Sequence, residues 1–279
     1  MVNRYDPAIE ARIREVAAAG ETPVLQRLRE AKFISHNVPL TPTLCTRPGE
    51  PLIEASPRTR AIHDALHLYL PGGPRGKSAV DLGCLEGGLT FELWRAGLQV
   101  LGVEVRQDNL DRALLLRDHF RAEGEMAFLQ ADVREFRPGR RFDVVVCSGL
   151  LYHLDDPAAY IVQLAELTAP GGLLYLDTHV APEDVELAEC EFRGSLSPLR
   201  SRDAGGTTIR WRDYAEDVTQ AESSVGNATS MWMDTDSHVE LLIRAGFSRV
   251  FEMHGYFGPG ETALKRRYAR RYWAALKSA

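Results

Sequence analysis

The sequence predicts an α/β fold built on a parallel sheet with helices on both faces. Three observations carry the prediction. Short apolar runs recur at 78–82 (SAVDL), 99–105 (QVLGVEV), 126–130 (MAFLQ), 143–147 (DVVVC) and 172–176 (GLLYL). Helical patterns at about 87–96, 107–122 and 157–168 lie between them. Turn residues bound each run, and strands that alternate with helices in this way pair in parallel.

The elements follow in chain order. Residues 8–32 carry helical spacing (Ile9, Ile13, Val16, then Val24, Leu25, Leu28), which Gly20 and Pro23 break into two short helices. Residues 33–57, rich in Pro and Thr, read as an irregular connector. A third helical pattern (Ile62, Leu66, Tyr69, Leu70) stops at Pro71-Gly72-Gly73-Pro74. After the fifth apolar run, 181–230 has Pro, Gly, Ser and Asn without periodicity and reads as an inserted lid. A last helix (His238, Leu241, Leu242, Ala245) ends at Gly246, followed by a strand-like FSRVFEMHG. The basic, aromatic tail reads as a final strand, RYWAALK, and its charge alone also suits an anionic surface. The expected layout is a helical cover and connector (1–60), a ligand-binding core (61–180), a lid (181–235) and a C-terminal completion of the core (236–279).

Composition narrows the function. With 44% hydrophobic and 26% charged residues, the 279-residue chain is ordinary globular protein, neither disordered nor fibrous. Lys and Arg total 33 against 39 Asp and Glu, a net charge of −6, which disfavours a nucleic-acid partner. No apolar run approaches the ~20 residues of a membrane helix, and MVNRYDPAIEARIREV does not read as a secretory signal. Cys45, Cys84, Cys147 and Cys190 are scattered, so reduced thiols, no metal site and a cytoplasmic protein are expected.

The strongest motif is SAVDLGCLEGGLTFELWRAG, an apolar strand ending in Asp81, then Gly83, Gly87 and Gly88 ahead of a helix. Open parallel sheets bind ligands outside the carboxyl ends of their strands. A dinucleotide site needs G-x-G-x-x-G, whereas the chain offers G-C-L-E-G-G, and Asp81 would repel a pyrophosphate. Glu104 ends the second strand, 23 positions after Asp81, where a carboxylate can accept both ribose hydroxyls. Asp132, after the third strand, can accept from an adenine amino group, with Val133 beside the ring. Each carboxylate alone could cap a loop; together, at three successive strand ends, they describe a phosphate-free adenosine ligand.

Residues 78–180 resemble a class I S-adenosylmethionine (SAM)-dependent methyltransferase. The resemblance rests on DLGCLEGG (Asp81 to Gly88), Val103-Glu104 and QAD (Gln130 to Asp132), with FDVVVCSGLLYHLDDP (Phe142 to Pro157) and PGGLLYL (Pro170 to Leu176). It implies a Rossmann-like doubly wound seven-stranded sheet of order 3-2-1-4-5-7-6, the last strand antiparallel. It also implies SAM as cofactor and S-adenosylhomocysteine (SAH) as product, held by Asp81, Gly83, Cys84, Leu85, Gly87, Glu104, Val105, Asp132, Val133, Ser148, Gly149 and Tyr152. Leu85 departs from the family motif D-x-G-x-G-x-G, standing at its middle glycine. A looser similarity (SGLLYH, LYLDTH, SMWMDT, LIRAGF) resembles a branch containing tRNA wobble-uridine carboxymethyltransferases and secondary-metabolite methyltransferases. Lys32 and Lys77, the only lysines before Asp81, match no motif of the tRNA enzymes, so a small-molecule acceptor, in biosynthesis, is expected.

Methyl transfer needs alignment of the acceptor, exclusion of water and removal of a proton from a weakly acidic acceptor. His153, after the fourth strand, reads as the general base or as a residue that shapes the pocket. His179, after the fifth strand, is the rival base, oriented by Asp177, or else a cap on strand-end backbone. His36 and His238 are weaker candidates, one in the connector and one at a helix start. Trp211, Tyr214, Met231, Trp232 and Met233 could line the acceptor site or serve as core. Arg193, Arg200, Arg202, Arg210 and Arg212 could recognise an acidic acceptor or form a solvated face. A tRNA-modifying alkyltransferase and a non-catalytic protein retaining the fold are the alternatives, and a homodimer is compatible with all three.

Overall fold

The structure, a computed structural model, describes residues 4–204, 206–220, 223–256 and 258–279; residues 1–3, 205, 221, 222 and 257 lie outside them. Two compact units divide the chain, Met1–Val146 and Cys147–Ala279.

The first unit opens with α1 (Pro7–Ala18) and α2 (Pro23–Glu30), then a two-stranded ribbon of β1 (Pro39–Thr41) and β2 (Leu44–Cys45), and α3 (Pro57–Tyr69). The connector is thus more ordered than its composition suggested. All three helices start on a capping oxygen followed by proline: Asp6-Pro7, Thr22-Pro23 and Ser56-Pro57. The oxygen satisfies orphan N–H groups and proline gives up none that is needed. There follow β3 (Ser78–Leu82), α4 (Gly88–Arg95), β4 (Gln99–Glu104), α5 (Gln107–His119), β5 (Met126–Gln130) and β6 (Phe142–Ser148). β3 pairs in parallel with β4, and β4 with β5. α4 packs through buried Phe91 and Trp94 onto Phe120, with ring centroids 4.6 Å apart for Phe91 and Phe120.

The second unit contains α6 (Pro157–Leu167), again started by a capped proline at Asp156, and β7 (Thr168–His179). Then come α7 (Asp184–Leu187), β8 (Arg200–Asp203), β9 (Thr208–Ala215), β10 (Thr229–Met233), α8 (Thr235–Arg244), β11 (Phe247–Glu252), α9 (Glu261–Tyr268) and β12 (Arg270–Lys277). β8, β9 and β10 form a separate antiparallel sheet in and just beyond the segment whose pattern shows no periodicity. The tail supplies both a helix and the expected strand, and β12 runs antiparallel to β7 and β11. The large sheet has the order β11-β12-β7-β6-β3-β4-β5, the order and last-strand direction expected.

Candidate cofactor and acceptor sites

In the first unit, the turn between β3 and α4 alternates in hand: Gly83 (φ 69°), Leu85 (φ 47°) and Gly87 (φ 77°) are all left-handed. The turn is tied to β4 by the N–H groups of Gly83 (2.9 Å) and Cys84 (3.0 Å), both donating to the Val103 carbonyl. A Cβ on Gly87 would approach the Cβ of Ala113 to 2.9 Å, so sterics and φ both require glycine there. Leu85 holds the same hand at a steric cost of about 1–2 kcal/mol. Its N–H donates to Oε2 of Glu104 (3.1 Å).

The expected cofactor residues of this unit lie at or beside three strand ends. Asp81 is buried and accepts from the Thr90 hydroxyl at 2.7 Å. Burial pushes its pKa up to about 6, against the pull of that hydrogen bond. Glu104 is buried, and its other oxygen accepts from Arg106 N (2.8 Å). Each carboxylate oxygen has a second lone pair, so Glu104 keeps capacity for two ribose hydroxyls. Val105 is half-buried, and its carbonyl accepts from Gln130 Nε2 (3.2 Å). Val133 is buried. Asp132 is gripped by the Arg134 guanidinium, with contacts of 2.6–3.1 Å that hold its carboxyl below the usual range. Burial raises the Cys84 thiol well above its ordinary value, which makes it packing rather than a nucleophile.

This unit also shows one residue that the motif reading passed over, Glu86, and it gives His36, a weaker base candidate of the connector, a structural partner. Glu86, inside the turn, is fully buried and accepts backbone N–H groups from Ile34, Ser35 and His36. Nδ1 of His36 accepts from Gly88 N at 3.1 Å.

In the second unit, Ser148 donates to Oδ2 of buried Asp177 (2.9 Å), and Gly149 N donates to the Asp177 carbonyl (2.9 Å). Arg270, from β12, binds both oxygens of Asp177 at 2.6 and 3.0 Å. Asp177 therefore anchors Arg270 and Ser148, where the sequence suggested that it orients His179. His179 hydrogen-bonds the Tyr268 carbonyl through Nδ1 (2.7 Å), and Arg270 Nη1 lies 3.3 Å from Nε2. A carbonyl only accepts and a guanidinium only donates, so Nδ1 carries the proton and the Nε2 lone pair faces Arg270. Burial and the Arg270 charge hold the ring well below its ordinary pKa. Both nitrogens are occupied, which matches the cap on strand-end backbone and leaves no lone pair for a substrate proton.

His153 has the opposite geometry. Its Nδ1 lies 2.9 and 3.1 Å from the two oxygens of Glu216, a residue just past β9 whose side chain is buried. Burial raises the Glu216 carboxyl, but hydrogen bonding, chiefly from His153, outweighs it and leaves the pKa below normal. The carboxylate can only accept, so Nδ1 donates, and in the neutral ring the lone pair is the one on Nε2. Asn227 Nδ2 donates to the His153 carbonyl (3.0 Å), fixing the backbone as well. Glu216 is 63 residues from His153, and no local spacing could have announced it.

Tyr152 packs against His153 (4.2 Å) and His179 (4.3 Å) and lies under the Arg270 guanidinium (5.7 Å). Trp232 is stacked between His179 and Tyr214, each centroid 4.6 Å away. Trp232, Met231 and Met233 are buried and serve as core. Trp211 and Tyr214 are half-buried. The arginines here are bound by the chain itself. Arg212 is buried and pairs with Asp184, Arg210 with Glu183 and Asp234, and Arg200 with Asp213. Arg193 donates to Ala188 O, and Arg202 lies over the Trp211 ring. His238 is buried, bonds the Asp234 carbonyl, and is pushed down to about 4 by burial. Among the described residues no His, Cys, Asp and Glu group could hold a metal ion, and no helix is long and apolar enough to cross a membrane.

A sheet in this order, with carboxylates rather than a phosphate cradle at its first strand ends, defines a Rossmann-like domain for a phosphate-free nucleoside ligand. The donors of SAM are its amino group, ribose hydroxyls and adenine amine, and these fit the acceptors Asp81, Glu104 and Asp132. Residues 55–256 match the methyltransferase domain family. The chain therefore belongs to that family, as a class I SAM-dependent methyltransferase. It is similar to a ubiquinone biosynthesis O-methyltransferase of Psychrobacter arcticus, 28% identical over 206 residues, covering 73% of this chain and 68% of that protein. A protein of the same name from Methylococcus capsulatus is 36% identical over 107 residues, but the match spans only 37% of this chain and 44% of that one. Among solved structures, the N-terminal domain of EvdMO1, determined in the presence of SAH and D-fucose, aligns with TM-score 0.64 at 21% identity over 99% of this chain and 100% of that one. A SAM-dependent methyltransferase from Mesorhizobium loti aligns with TM-score 0.52 at 21% identity over 78% and 98%.

Proposed function

We propose that the protein transfers a methyl group from SAM to a hydroxyl of a small biosynthetic molecule, with His153 as general base and Glu216 as its orienting carboxylate. The observation that carries this is the His153–Glu216 pair, which fixes one nitrogen as donor and leaves the other to take a proton. When bound, SAM supplies an electrophilic methyl group on an already activated sulfonium leaving group. Glu104 would accept from the ribose hydroxyls, Asp132 from the adenine amine, and Asp81 would meet a cationic or hydrogen-donating group. As the acceptor oxygen gives up its proton, Nε2 of His153 receives it and Glu216 opposes the developing imidazolium charge.

The relatives' name specifies O-methylation, and their ubiquinone pathway makes small molecules. The net charge of −6 weighs against a nucleic acid, and four free cysteines suit a reducing cytoplasm. The test is incubation with methyl-labelled SAM and an extract of the host, followed by separation of small molecules from macromolecules. Label among the small molecules that is lost in His153→Ala supports the reading. Label on RNA or protein overturns the acceptor class, and small-molecule label undiminished in His153→Ala overturns the base.

A further inference from the structure

The cofactor turn of the first unit is held from outside by the connector. Three successive backbone N–H groups, of Ile34, Ser35 and His36, converge on the buried Glu86 carboxylate, the last two at 3.0 Å. Successive N–H groups arranged this way form a nest, an anion-binding concavity of main chain, and here its anion is a side chain of the turn itself. Gly88 opens α4, and its N–H donates to Nδ1 of His36 (3.1 Å), where five other helices use the side-chain oxygen of Asp6, Thr22, Ser56, Asp156 or Asp234. Burial, then the Arg58 and Arg47 charges, push His36 down to about 3, so the ring stays neutral and keeps the lone pair that this bond needs. There is no slack: a Cβ on Gly88 would lie 2.5 Å from Cγ of His36. The connector is itself fixed, because the Thr46 hydroxyl donates to the His36 carbonyl (2.7 Å) and Asn37 Oδ1 accepts from Arg47 N (2.8 Å).

We propose that Ile34–His36 is a backbone latch that positions the cofactor turn, with Glu86 and His36 as positioning residues. Glu86 and Gly88 flank Gly87, the last left-handed residue of the turn, so the turn cannot shift without breaking four hydrogen bonds to one three-residue segment. The latch rests on the cofactor reading above and adds to it a requirement on residues far from the motif.

The test is calorimetric titration of the full chain with SAH, together with hydrogen exchange of residues 83–88. Glu86→Gln turns one acceptor into an NH2 group that faces N–H donors, so affinity falls roughly tenfold or more and exchange of 83–88 speeds up. His36→Ala does the same, whereas His36→Asn, whose Oδ1 can replace Nδ1 as acceptor, stays near wild type. If Glu86→Gln fails to fold, the His36 pair decides. Glu125→Gln removes the partner of Arg12 and Trp94 elsewhere in the unit and serves as the stability control. It loses thermal stability without losing SAH affinity. Unchanged affinity in both Glu86→Gln and His36→Ala overturns the latch, as does an equal loss in Glu125→Gln or equal behaviour of His36→Asn and His36→Ala. Wild-type protein that binds no SAH overturns the cofactor reading, and the latch with it.

Discussion

Lowering the pH from 7 to 5 should weaken SAH binding about tenfold, because it neutralises Asp81. Burial raises this carboxyl from 3.8 to about 6, although Thr90 donates to it. Each pH unit of separation corresponds to about 1.4 kcal/mol, so about 3 kcal/mol opposes the ionised form in the free protein. The sign follows from the folded value lying above the unfolded one. Asp81 takes up its proton first in the folded state, so its contribution to stability is greatest below about pH 4 and is lost as pH rises towards about 6. A cationic or hydrogen-donating ligand reverses that preference, since only the carboxylate attracts it. Calorimetry from pH 5 to pH 7.5 should show full affinity at the upper end and proton release near pH 6, read from the dependence of the heat on buffer ionisation. Asp81→Asn should bind weakly at every pH. A wild-type affinity that is flat across the range, or an Asp81→Asn protein that binds as tightly as wild type, would refute the reasoning.

Two further substitutions test the sites through stability. Leu85→Gly relieves a left-handed strain of about 1–2 kcal/mol and adds about 0.5–1 kcal/mol of chain freedom to lose on folding. Urea unfolding should therefore place it between wild type and about 1.5 kcal/mol above, while β-branched Leu85→Val falls below; a clear loss for glycine would contradict the strain. Arg270→Met removes the bidentate partner of buried Asp177 and should cost about 3–5 kcal/mol, part of it recovered in Arg270→Met/Asp177→Asn. A single variant as stable as wild type would mean that the pair contributes nothing.

Much of the fold is legible because each strand from β3 to β7 is a continuous apolar run between turn residues. β3 and β5 fall on the residues expected, and Pro71–Pro74 ends α3 as its chemistry requires. The small sheet is not legible because its strands lack that signature. β8 is exposed throughout, and β9 buries Ile209 and Arg212, an apolar and a charged residue out of alternation. Asp81 and Glu104 stand out because strand ends are readable from pattern. Glu216, Tyr268 and Arg270, which partner His153, His179 and Asp177, come from 63 to 93 residues away, and only folding brings them together. Glu86 was hidden differently: it occupies a variable slot of a recognisable motif, and its ligands are main-chain groups that no sequence pattern displays.

Those long-range ties also decide how this protein can be cut for expression. Trimming to the family match, 55–256, looks like a conservative choice. It would discard the Ile34–His36 amides, leaving the Glu86 carboxylate without its three N–H donors, and it would delete β12 together with the guanidinium bound to Asp177. Each cut would remove the hydrogen-bonding partners of a carboxylate that remains, so the shortened protein should aggregate or fail to fold while every residue of its recognised motif is present.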